Sequence, residues 1–143
     1  MRYILALVAI LGGCATVQEP APVSAPASEP ALAAPVGSAA VVSLVEGARS
    51  DVAAGRLANA AASLERALRI EPRNPRLWQE LARVRLMQGE YAQAESVAAR
   101  SNSWAGGDNR LRAENWRLIA QAREARGDAA GARAALEAAE RQR

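Results

Sequence analysis

Few side chains in this sequence can do covalent or acid–base chemistry. Cys14 is the only cysteine, and His and Lys are absent altogether. That removes the commonest general base, lysine Schiff-base chemistry, His-ligated metals and any intrachain disulfide. Asp and Glu remain, but no pair of them stands in a recognisable catalytic setting. The expectation is a protein that is not an enzyme and that uses no cofactor and no metal. All basic side chains are Arg, interleaved with Asp and Glu along the chain, and the formal net charge is +3. The calculated pI near 10.0 reflects the lack of Lys more than a surplus of charge. Nucleic-acid binding would want a concentrated basic stripe and is not expected.

Cys14 ends a recognisable leader. Arg2 supplies a positive start, an apolar run extends from Tyr3 to Leu11, and small residues follow. The run is too short to span a bilayer. Leu11, Gly12, Gly13 and Cys14 together resemble the lipobox of bacterial lipoproteins. The resemblance implies a signal peptide over residues 1–13, cleavage before Cys14, and acyl chains on its sulfur and on the amine freed by cleavage. Two or three acyl chains anchor a protein durably, at about 0.8 kcal/mol per buried CH₂, where one chain does not. An ordinary secretory peptide with an incidental Cys is the alternative, weakened by the lack of an earlier A-x-A site. Ala15, rather than Asp, follows the Cys. By the sorting pattern of such lipoproteins this implies the periplasmic face of the outer membrane over the inner membrane.

Residues 14–38 then read as the lipidated Cys and a disordered linker, with Pro20, Pro22, Pro26, Pro30 and Pro35 among Ala, Ser and Val. Proline at that density blocks helix and sheet and favours an extended chain, with a reach of roughly 70 Å at about 3.1 Å per residue. The segment serves as a spacer or is merely unstructured.

From residue 39 to 143 the pattern becomes helical, and aromatic residues make up only 3% of the chain. Ala, Leu and Val in that proportion suit closely packed helices better than a sheet. Gly55 and Gly89 lie 34 residues apart, each between two helical runs, and a third copy surrounds Gly127. Trp78 and Trp116 each stand 11 residues before a glycine of this set. The predicted helices are 39–54, 57–71, 75–88, 91–103, 110–126 and 129–142.

This spacing resembles three tetratricopeptide repeats, 34-residue helix–turn–helix units with small residues at the close contacts. Repeat one offers Leu44, Ala48, Gly55, Leu57, Ala60, Leu64, Ala67 and Pro72. Repeat two offers Trp78, Leu81, Ala82, Gly89, Tyr91 and Ala94, and repeat three offers Trp116, Ile119, Ala120, Gly127, Ala132, Leu136 and Ala139. The resemblance implies an all-α fold, a short right-handed α-solenoid, in which Leu44, Trp78, Leu81, Trp116 and Ile119 carry the packing. Gly47 and Ser101 depart from the pattern. The interval from Gly89 to Gly127 is 38, and the surplus falls near Ser101–Asp108. Either a longer loop or an extended helix end would absorb it. Trp104, beside that stretch, is either packed or an exposed contact residue. The last helix must solvate one face through Arg133, Glu137, Glu140 and Arg141; an apolar remainder there would favour oligomerisation.

In such repeats the first helices line a groove for peptides or partner helices. The register places Arg49, Arg76, Gln79, Arg83, Arg117 and Gln121 there. Aligned guanidiniums could take a carboxylate or an acidic segment. Alternatively they pair with Glu46, Glu80, Glu114 or Glu124 and contribute little. The lysine-based carboxylate clamp of some members has no counterpart here. The expected role is a protein-binding adaptor or scaffold held at the membrane through lipid on Cys14. A pilotin-like or envelope-assembly factor for a pilus or secretion component is the second reading.

Overall fold

A computed structural model of the chain describes residues 38–143; the expected leader, the lipobox with Cys14 and the proline-rich linker lie outside the described residues. The described residues form six helices and no strand: α1 (Ala39–Ala53), α2 (Leu57–Ile70), α3 (Pro75–Met87), α4 (Tyr91–Trp104), α5 (Asn109–Ala125) and α6 (Ala129–Glu140). They pack as three antiparallel pairs, α1 with α2, α3 with α4, and α5 with α6. Each second helix also packs on the next first helix, and α3 touches α5. The fold is the expected all-α stack of three helix–turn–helix repeats.

Local chemistry sets the helix ends. Ser38, Asn74, Asp108 and Asp128 each cap a helix start, accepting from a backbone N–H two or three residues on. Pro75 opens α3 at a position where its missing donor costs nothing. At the opposite end of each first helix, Gly55, Gly89 and Gly127 adopt φ of 73°, 77° and 81°. Arg56, Glu90 and Asp128 then donate back to the carbonyls of Asp51, Arg85 and Arg123 at 2.8–2.9 Å. This closure satisfies carbonyls that the helix leaves open and requires a left-handed residue.

Two apolar clusters hold the stack. Ala48, Ala60, Leu64, Ala67, Leu68, Leu77 and Leu81 join repeats one and two. Ala82, Ala98, Leu118, Ile119, Ala120 and Ala135 join repeats two and three. Fully buried alanines let helix axes approach closely, which explains a core so poor in large side chains. Leu81 and Ile119 are buried in these clusters, while Leu44, Trp78 and Trp116 are half-buried against them. Gly47 is solvent-exposed with open space around it. Its counterparts Leu81 and Ile119 pack on the preceding repeat, so repeat one has no such contact to fill.

The 38-residue interval resolves without a longer loop. The α2–α3 and α4–α5 connections, residues 71–74 and 105–108, have equal length. Helix α5 has 17 residues against 13 in α3, and the surplus is one added turn at its start, before Trp116. Trp104 lies at the surface, 38% exposed, with the Arg73 guanidinium 5.3 Å from its ring centroid.

Candidate functional site

The added turn of α5 builds one wall of a cleft. Asp108, Arg110, Leu111 and Glu114 face Arg76, Gln79, Glu80 and Arg83 of α3 across about 510 Å³. Glu114 is the hub of this wall. It accepts from Arg83 at 3.4 Å, from Arg110 at 3.3 Å and from Gln79 at 3.3 Å. Arg76 reaches Asp108 at 3.2 Å. The arginines of these pairs are largely open to water, so each pair contributes little to stability and can exchange its partner.

A second cleft, about 200 Å³, runs between α1 and α3 and is apolar. Val45, Ala48, Val52, Leu64, Val84 and Met87 form its floor, and Arg49, Glu80 and Arg83 rim it. Arg49 and Glu80 approach to 3.8 Å across the rim. Glu80 and Arg83 line both clefts, so the apolar slot and the charged one adjoin. The first-helix face is therefore bipartite: aliphatic toward repeat one, guanidinium- and carboxylate-lined toward repeat three.

The six groove residues expected from the sequence do not behave alike. Arg49, Arg76 and Arg83 line these clefts, each facing a carboxylate from farther along the stack: Glu80, Asp108 and Glu114. Gln79 lines the charged cleft but is buried; its amide donates to Asn115 Oδ1 at 3.1 Å as well as to Glu114. It acts as a strut between α3 and α5. Arg117 is half-buried and Gln121 exposed, and neither lines either cleft. Arg110, Asp108 and the apolar floor were absent from the expected set. Arg110 belongs to the turn that only the added length of α5 creates, and Val45, Val52 and Met87 carry no signal of a cleft in the repeat pattern.

Among the described residues no cluster of three or more His, Cys, Asp and Glu could hold a metal, and no helix is long and apolar enough to cross a membrane. Away from both clefts, the hydrogen bond to Glu95 raises the Arg123 guanidinium above its ordinary range.

Comparison with known proteins matches the geometry. A tetratricopeptide-repeat family model matches residues 51–114. The solved globular C-terminal domain of P. aeruginosa LpoP is 50% identical and superposes with a TM-score of 0.70. The match covers 71% of this chain and 96% of that one. No curated protein matches.

Proposed function

Since this chain belongs to the tetratricopeptide-repeat family of the LpoP C-terminal domain, we propose that it is a non-catalytic adaptor that docks another protein on its first-helix face. The observation that carries this reading is the joined pair of clefts. An extended or helical segment bearing an aliphatic side chain would fill the slot over Val45, Val52 and Met87. A carboxylate beside it would meet Arg83 and Arg76. Those guanidiniums already hold carboxylates of this chain through weak, solvated pairs, so an incoming acid replaces an equivalent partner at little cost.

The adaptor reading extends to place. Leu11, Gly12, Gly13 and Cys14 support a lipid anchor, and Ala15 supports the periplasmic face of the outer membrane. Residues 15–37 then span the gap between lipid and domain. Cys14→Ser should release the protein from the membrane fraction; full retention without lipid would overturn the anchor.

A photo-crosslinking side chain at Val45 or Glu80, introduced in intact cells, should capture one protein partner. The same group at Arg133, on the exposed side of α6, should capture none of it. Equal capture from both positions would sink the first-helix face as the docking site.

A further inference from the structure

Arg49, Arg76 and Arg83 of the clefts pair with carboxylates, whereas Arg66, Arg69, Arg73 and Arg100, like Arg112, Arg117, Arg133 and Arg141, form no salt bridge among the described residues; the first four are set apart by their place. These four gather where α2 and α4 end. Arg66 and Arg100 occupy the same position of successive repeats, 34 residues apart. Arg66 and Arg69 share a shallow surface depression with Ile70. Arg73 lies over the Trp104 ring at 5.3 Å, and Arg100 lies over the Trp78 ring at 5.6 Å. The Trp78 Nε1–H donates to the Pro72 carbonyl at 2.8 Å, which ties both stacks to the loop beside Arg73. Ile70 and Trp104 stay exposed among the guanidiniums, at 49% and 38%. The nearby carboxylate, Glu71, is occupied by the Ser38 backbone N–H and the Asn74 amide.

An arginine in a last helical turn, such as Arg69, complements the helix dipole, an effect worth a few tenths of a kcal/mol. That accounts for neither the loop residue Arg73 nor the exposed Trp104. Cationic side chains around an amphipathic indole and an isoleucine fit a surface that is anionic outside and apolar just beneath. The position of the patch narrows the choice. The Ser38 N–H meets Glu71 Oε1 at 3.1 Å, so the chain leading from the amino terminus joins the domain at this same end.

We propose that Arg66, Arg69, Arg73 and Arg100, with Ile70 and Trp104, form a docking patch for a bilayer surface rich in anionic phospholipid. The patch orients the domain on the membrane, with α2 and α4 ending toward the lipid. The charged cleft begins at this same end, at Arg76 and Asp108, whereas the apolar slot lies farther along α1 and α3. The orientation rests on the anchored-adaptor reading, but the patch itself does not need the lipid on Cys14.

The test uses the chain from Ala15 onward, which lacks Cys14 and keeps every described residue. It should sediment with vesicles containing phosphatidylglycerol and not with vesicles of phosphatidylcholine alone, and added salt should release it. Replacing Arg69, Arg73 and Arg100 together by Gln should lower binding roughly a hundredfold, about fivefold per residue, while replacement by Lys should restore most of it. Circular dichroism of each variant checks the helices. Lipids brominated near the headgroup should quench the fluorescence, and Trp104→Phe should remove most of that quenching. Sedimentation unaffected by the Gln triple, or binding to poly-glutamate but not to vesicles, would overturn the patch. Loss of vesicle binding would leave the Cys14→Ser fractionation result unaffected, so the two readings fail separately.

Discussion

Asn115 donates its side-chain amide to Ser101 Oγ at 2.7 Å, at the place where, one repeat earlier, Leu77 lies against the helix carrying Ala67. The substitution is systematic. Ala67, Leu68 and Leu77 of the first inter-repeat seam correspond to Ser101, Asn102 and Asn115 of the second. Asn115 and Ser101 are fully buried; the Ser101 hydroxyl donates to the Pro75 carbonyl, and Asn102 Oδ1 also accepts from Asn115. With Gln79 joining from α3, the network links α3, α4 and α5 and fixes the start of α5. Buried groups so connected specify one register, and breaking them is costly.

Asn115→Leu alone leaves Ser101 and Gln79 each short of a partner in a dry seam. The expected loss is about 2 kcal/mol, read as a lower urea midpoint. Adding Ser101→Ala and Asn102→Leu rebuilds the apolar seam of the first interface and should recover most of it. A single variant more stable than the parent would show that the seam is not held by these bonds.

Two glycines predict opposite signs for the same substitution. Gly47 lies inside α1, exposed, with nothing within 4 Å of an added Cβ. Gly47→Ala should stabilise by about 0.5–1 kcal/mol, because the unfolded chain loses freedom. Gly55→Ala meets equally open space but sits at φ 73°. It should destabilise by about 1–2 kcal/mol through backbone strain alone. Thermal unfolding of both variants checks the pair; matching shifts would contradict the helix-closing role of Gly55.

Most of the fold was legible because glycine spacing and small-residue positions are local signals. All six helices fall within two residues of the bounds that spacing implies. The added turn of α5 was not resolved beforehand, since Ala105-Gly106-Gly107-Asp108 reads as a loop of uncertain length. Counting from caps would have settled it: Asn74 and Asp108 are 34 apart, whereas Trp78 and Trp116 are 38 apart. The surplus must therefore lie between cap and tryptophan. Trp78 packs against the first cluster as expected of a helix-spacing residue, but only half-buried, with Arg100 over its ring, a stack that repeat spacing does not mark. Gln79 was legible as a first-helix residue and illegible as a strut. Its partner Asn115 comes from a different repeat, and no local pattern marks that pairing.

Arg85 and Arg123 hold equivalent places and each clamps a first helix to the second helix of the repeat before or beside it. Arg85 reaches Glu65 on α2 and Glu90 in the turn, and Arg123 reaches Glu95 on α4 and the Gly131 carbonyl. The hydrogen bond to Glu95 raises Arg123 above its ordinary range, offset in part by desolvation. A raised basic group lends stability below its unfolded pKa and loses it only as pH climbs past the folded value. The Arg123 contribution should thus persist through neutral pH and vanish only in strong alkali. Arg123→Met should lower stability by about 1 kcal/mol, since both partners are partly solvated. Unfolding curves at neutral pH that superpose on the parent would remove the clamp from the account.

Glu114 supplies the sharpest sign for the groove. Its carboxylate draws Arg83 and Arg110 toward α5 and so competes with any acidic segment entering the cleft. Glu114→Gln keeps a hydrogen-bonding partner for Gln79 but removes the charge, leaving both guanidiniums available. Affinity for an acidic partner segment should therefore rise, by about threefold to tenfold, whereas Arg83→Ala should lower it by a similar factor. Neither change should cost more than about 1 kcal/mol of stability, because the pairs are solvated. Isothermal titration with the captured partner's segment, alongside thermal melts, distinguishes the two variants. Equal weakening by both would mean that Glu114 itself contacts the ligand, and the charge-exchange account of the cleft would fall.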